Sequence, residues 1–184
     1  VLGYDPMQVG LAFFPGDFIM AVFSLGLSAK VVMRFGLRVP ALAGLLLAGL
    51  GLALFALAPS NGNFWLHVLP GMVLLGIGAG LAFNPVLLAA MSDARPEDAG
   101  LASGLVNTSF MMGGALGLAA LASVAAARTA AMGGAASTTA LTGGYHAAFA
   151  VGAVFAIVAG LLCLLLREGG HAPAGAEAVG EPSV

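Results

Sequence analysis

What this sequence has least of is charge. Only 8% of its 184 residues are Asp, Glu, Lys or Arg, against about a quarter in an ordinary soluble domain. That leaves too few to cover a water-facing surface. A single cysteine, Cys163, excludes a disulfide framework and any CxxC metal cluster, and neither a cofactor nor a metal is expected. A net charge of −2, with no basic cluster beyond residues 30–38, argues against a nucleic-acid partner. The alternation of a membrane β-barrel is missing, and no cleavable signal peptide is visible.

What is present is apolar. Hydrophobic residues make up 60% of the chain and the mean hydropathy is +1.05. Five runs dominate, over about residues 9–29, 40–58, 66–91, 101–127 and 147–166, each near or above the ~20 residues that cross a bilayer core as helix. Of the eight acidic and six basic residues, only Asp17 falls inside a run. Strands without closure would leave backbone groups unpaired in lipid. The expected fold is therefore all-α and integral to the membrane, with five transmembrane helices in a bundle over 1–166. The small, polar residues 167–184 read as a disordered tail. The chain begins at Val1 within a polar LGYDP segment, which suggests a piece of something longer.

Orientation follows from the basic residues, because short loops rich in Lys and Arg stay cytoplasmic. One set of connections holds Lys30, Arg34, Arg38, Arg95 and Arg167, and the other holds only Arg128. The N-terminus is thus expected outside and the C-terminus in the cytoplasm. The outer connections are then 1–8, a short turn at 59–63 and a stretch of small residues over about 128–143. Trp65 and Tyr145 fall at outer boundaries, where amphipathic rings sit, and His67 and His146 read as interfacial residues rather than metal ligands.

The five runs differ in polarity. The second and fifth hold no Ser, Thr, Asn, Gln or charge. The others hold Asp17, Ser24 and Ser28, then Asn84, then Ser103, Asn107, Thr108, Ser109 and Ser123. Lipid cannot satisfy such groups, so runs one, three and four are expected inside and two and five against lipid. Small-residue spacings at Gly76/Gly80, Gly100/Gly104 and Gly113/Gly117 suit close helix contacts, although 28 glycines make some of them fortuitous. Pro85 removes a helical hydrogen bond and is expected to bend run three. Its neighbour Asn84 has two open readings, satisfying a freed carbonyl or contacting a ligand. Asp17 shares a helical stripe with Ala21, Ser24 and Ser28 and lies about nine residues into its run, near mid-membrane at ~1.5 Å per residue. A charge there costs at least ~2.5–3.5 kcal/mol on insertion scales, so the group is expected to be protonated, hydrated or paired.

The segments LGYDPMQVGLAFFP, RFGLR, LGIGAGLAFNPVL and PEDAGLASGLVNTSFMMGGALG, in this order and spacing, resemble the C-terminal half of major facilitator superfamily drug:proton antiporters, in particular the fourteen-helix multidrug efflux subgroup. The resemblance covers about residues 1–166. It implies a partial C-terminal six-helix bundle of the major facilitator fold, corresponding to helices 8 to 12 of its twelve-helix core. The first, third and fourth spans would line a central cavity. The implied activity is proton-coupled export of lipophilic or cationic small molecules by alternating access in the cell membrane. The implied partners are the lipid bilayer, substrate, protons and the N-terminal half of the same transporter. Ser24, Ser28, Asn84, Ser103, Asn107 and Met111 become cavity-lining candidates, with Met111 and Met112 offering adaptable apolar contact. Asp17 becomes either a proton-coupling site or a substrate counter-charge, or else a protonated carboxyl bonded to Asn107 or to a carbonyl freed by proline.

The cytoplasmic loop signature of the family matches at Arg34, Gly36 and Arg38, while Ala29 and Met33 replace its small Gly and its Asp. A role in topology and turning is then expected in place of a charge lock. Three alternatives stay open: a major facilitator transporter of another substrate class, an inert partial chain, and an intramembrane serine protease built on Ser103-Gly104. The last has Leu101 in place of the first motif glycine and its histidines at the wrong membrane face. No enzymatic activity is expected.

Overall fold

The computed structural model describes residues 7, 14, 16, 18–24, 28–59 and 64–165, without the side chains of 28, 29 and 64. The predicted tail over 167–184 lies outside them. Helix α1 covers 18–24, with residues 14 and 16 also helical. It is followed by α2 (Ser28–Phe35), α3 (Arg38–Ala56), α4 (Leu69–Met91), α5 (Ala99–Ala131) and α6 (Thr138–Leu162). Among the described residues four segments are long and apolar enough to cross a membrane: Arg38–Ala56, Trp65–Met91, Pro96–Ala131 and Thr138–Leu165.

Local chemistry sets the helix ends. The stretch 29–38, expected as a loop, is mostly helix: α2 runs to Phe35 and α3 resumes at Arg38. Only Gly36 and Leu37 turn between them, with Gly36 at φ +73°, where a side chain would be strained. Pro70 opens α4, where a missing N–H costs nothing, after a π turn over Phe64–Val68. A 3-10 turn, Pro96–Asp98, leads into α5 and puts Glu97 and Asp98 at the positive end of the helix dipole. The outer connection expected over 128–143 contracts to 132–137. Helix α5 continues to Ala131 because alanine favours helix. It ends where Gly133 and Gly134 take φ of +108° and +85°. Ser137 then caps α6 by accepting from the Ala140 N–H at 3.3 Å.

Glycine and alanine decide the packing. Helices α3 and α4 run antiparallel with their backbones in contact. A Cβ placed on Gly44 would lie 2.6 Å from Ala82 N and Gly78 O, and one on Gly51 would lie 2.8 Å from Gly71 O. The opposite side of α3 meets α6, with Gly49 against Ala153, Gly160 against Leu42 and Leu45, and the Phe55 and Phe149 rings 5.4 Å apart. Helix α6 meets α5 where Thr129, buried, covers Gly144, and where Leu121 approaches Gly152. In lipid such contacts rest on van der Waals fit rather than on apolar burial.

In the structure α3 lies between α4 and α6 and turns only Val39, Leu46 and Leu50 outward, whereas Thr129 is the one buried residue of α5. The GxxxG spacings divide as well. Gly76 and Gly80 touch α1, while a Cβ added at Gly100, Gly104, Gly113 or Gly117 would meet nothing within 4 Å among the described residues.

Candidate functional site

Helices α1 and α4 run parallel and meet along one stripe on each. A Cβ on Gly76 would lie 2.7 Å from Gly16 O, and one on Gly80 would lie 2.7 Å from Met20 O. One turn further on, Asn84 meets Ser24. Its Nδ2 donates to the Ser24 carbonyl at 2.9 Å and to Ser24 Oγ at 3.2 Å. Residues 23 and 24 form a π turn, a widened stretch that leaves carbonyls outside the regular helical ladder. The spacing of 16, 20 and 24 against 76, 80 and 84 follows from the i, i+4 repeat. Small residues bring the helices close, and the amide closes the end of the stripe. Pro85, fully buried, lies within the continuous helix α4.

Past this junction Val32 and Met33 of α2 and Asn84, Leu87 and Leu88 of α4 line an open depression of about 320 Å³. That is near the lower end of the ~300–1,000 Å³ range of small-molecule sites. Asn84 is the single polar side chain in this lining.

Helix α5 supplies the other candidates. Ser103, Asn107 and Met111 fall four residues apart, on one stripe, and all three are exposed. The hydroxyls of Thr108 and Ser123 turn back on their own helix, donating at 2.8 Å to the carbonyls of Gly104 and Ala119. Ser103 and Asn107 form no side-chain hydrogen bond among the described residues. The Phe110 and Phe83 rings meet edge to face at 6.0 Å, so the open face of α5 adjoins the end of α4 that carries Asn84.

The family model described as Major Facilitator Superfamily matches residues 1–118. The chain belongs to that superfamily. It is thus a multi-pass membrane protein of a transporter family and not of an enzyme family. It is 36% identical over 133 residues to the puromycin resistance protein pur8 of Streptomyces alboniger, an alignment covering 71% of this chain and 26% of that protein. It is 36% identical over 129 residues to the cephamycin export protein CmcT of Amycolatopsis lactamdurans, covering 70% and 26%. It is also 37% identical over 127 residues to the multidrug resistance protein Stp of Mycobacterium tuberculosis, covering 69% and 23%. The chain spans about a quarter of the length of these relatives. No solved structure matches it.

Of the residues singled out in the sequence, Ser24 and Asn84 come together directly. Ser103, Asn107 and Met111 share one open stripe. Arg34, Gly36 and Arg38 surround the α2–α3 turn, with the Arg34 guanidinium 5.5 Å from the Phe35 ring centroid. Asp17 and the Ser28 side chain lie outside the described residues. Sequence reasoning missed the Ser24 carbonyl as an acceptor, since nothing in the sequence signals a π turn. It also missed Val32 and Met33, which line the same depression as Asn84 because α2 packs beside α4.

Proposed function

We propose that the complete protein exports lipophilic or cationic small molecules across the cell membrane in exchange for protons, by alternating access. The observation that carries this reading is α5. It is an apolar helix long enough to cross a bilayer, nearly unburied, and it presents Ser103 and Asn107 with no partner on the described chain. Lipid cannot satisfy an asparagine amide, so such a face turns to protein or to a water-filled cavity. The chain aligns with only about a quarter of its relatives' length, and the remaining length of a protein of that size is available to form the opposite wall. The names of those relatives, which concern puromycin resistance, cephamycin export and multidrug resistance, support a drug-like substrate.

Orientation supports the same reading. The antiparallel pairing of α3 with α4 brings the Gly36 turn and the 92–95 connection to one end, with Lys30, Arg34, Arg38 and Arg95, and leaves Arg128 towards the other. We assign the Arg-rich end to the cytoplasm. Ser24, Ser28, Asn84, Ser103, Asn107 and Met111 contribute to one wall of the cavity. Asp17, the sole Asp, Glu, Lys or Arg of the five apolar runs, is the proton-coupling group on this chain, since a carboxyl at mid-membrane depth exchanges a proton as access alternates. Energised inverted vesicles carrying the full-length protein are expected to accumulate a fluorescent lipophilic cation, and to lose it when a protonophore is added. Asp17→Asn is expected to abolish proton-driven accumulation while leaving binding of the cation measurable. Accumulation and pH dependence unchanged in Asp17→Asn would remove the coupling role, and no accumulation by the wild type would remove the transport reading.

A further inference from the structure

We propose that Asn84 is a specificity-determining residue, whose Oδ1 accepts a hydrogen bond from an N–H group of a lipophilic molecule seated among Val32, Met33, Leu87 and Leu88. This inference rests on the export reading above and narrows its substrate class. The orientation of the amide is fixed by chemistry. The Ser24 carbonyl can only accept, so the atom 2.9 Å from it is the NH2 nitrogen. That nitrogen has two hydrogens, and Ser24 supplies two acceptors, its carbonyl and its Oγ. Both donors are thereby committed, and Oδ1 accepts nothing among the described residues. The other four side chains lining the depression are aliphatic or thioether and offer no competing donor. The site is therefore asymmetric in polarity. A guest bearing an N–H finds an acceptor, and a guest of the same shape without one leaves that acceptor unpaired in an apolar setting, where an unmade hydrogen bond is costly.

The test uses the purified full-length protein and two electrically neutral probes, a lipophilic secondary amide and its N-methyl tertiary amide. Neutrality keeps Lys30 and Arg34 out of the comparison. The wild type is expected to bind the secondary amide about three- to tenfold more tightly, the range of one net hydrogen bond in a partly dry site. Asn84→Leu is expected to bring the ratio to that of shape alone. Asn84→Asp, which keeps an acceptor oxygen but lacks the NH2 group that holds Ser24, is expected to retain the preference. A preference absent in the wild type, or surviving in Asn84→Leu, overturns the proposal. Equal loss of both probes in Asn84→Leu and Asn84→Asp also overturns it, by showing that the amide only ties α4 to α1. Binding of neither probe by the wild type overturns it too, while vesicle accumulation of the cation would leave the export reading standing.

Discussion

Gly78→Ala should separate α3 from α4, and the geometry fixes how hard. A methyl at Gly78 would lie 2.5 Å from Gly44 O and 3.0 Å from Ala48 Cα, with Ala48 N closer still. Ordinary contact begins near 3.4 Å, so the shortfall is about 0.9 Å or more. Every obstacle is main chain or a Cα. No rotamer change can relieve the clash, and the two helices must move apart. Neighbouring glycine contacts at Gly44/Ala82 and Gly51/Gly71 would be loosened by the same shift. Overpacking of this kind costs about 1–3 kcal/mol. Glycine-to-alanine exchange in a helix also brings ~0.5–1 kcal/mol of favourable propensity, which is why the control is Gly104→Ala. Among the described residues that site has nothing within 4 Å, so it gains the same propensity without this clash. The quantity to measure is the difference in thermal stability between the two variants of the full-length protein in detergent. Gly78→Ala is expected to be the less stable by about 1–3 kcal/mol. Equal stability of the two would refute the backbone-contact account of the α3–α4 interface.

Three further outcomes are expected. Asn107→Ala removes a side chain with no hydrogen-bond partner among the described residues, so stability should stay within ~0.5 kcal/mol of wild type, while the concentration dependence of cation accumulation in vesicles shifts. A large stability loss would instead place Asn107 in a packed interface with the rest of the protein. Gly36→Ala puts a side chain at φ +73°, at a cost of roughly 1–2 kcal/mol, whereas Gly36→Asn should cost less because asparagine tolerates that region. Equal cost for the two, read by thermal melting, would count against a conformational role. Ser137→Ala loses the cap on α6 and should lower stability by ~1 kcal/mol, with Ser137→Asp restoring it.

The helical membrane class was legible from two features of the sequence, the long apolar runs and the near absence of charge inside them. Gly36 was legible too as the place of a turn, because glycine is the residue that reaches positive φ without strain. The extent of α5 was not, since residues 128–131 open a stretch rich in Gly, Ala, Ser and Thr that reads as a connection, until the left-handed glycines that follow them fix the end. Nor was the difference between glycine spacings. Gly76/Gly80 and Gly100/Gly104 have the same pattern, yet the first pair lies against α1 and the second against nothing described.

The sequence by itself determined which segments are apolar enough to enter a membrane and which residues are out of place in them, because the transfer of charge and polar groups into hydrocarbon depends on residue type and run length alone. Asp17 stands out on those grounds without any coordinates. Only the tertiary structure decided that Asn84 turns its donors to Ser24, that α3 is sandwiched and that α5 lies open. Each of these depends on which helix is the neighbour, and a hydrogen bond between residues 60 positions apart is a property of how helices pack and not of either run alone.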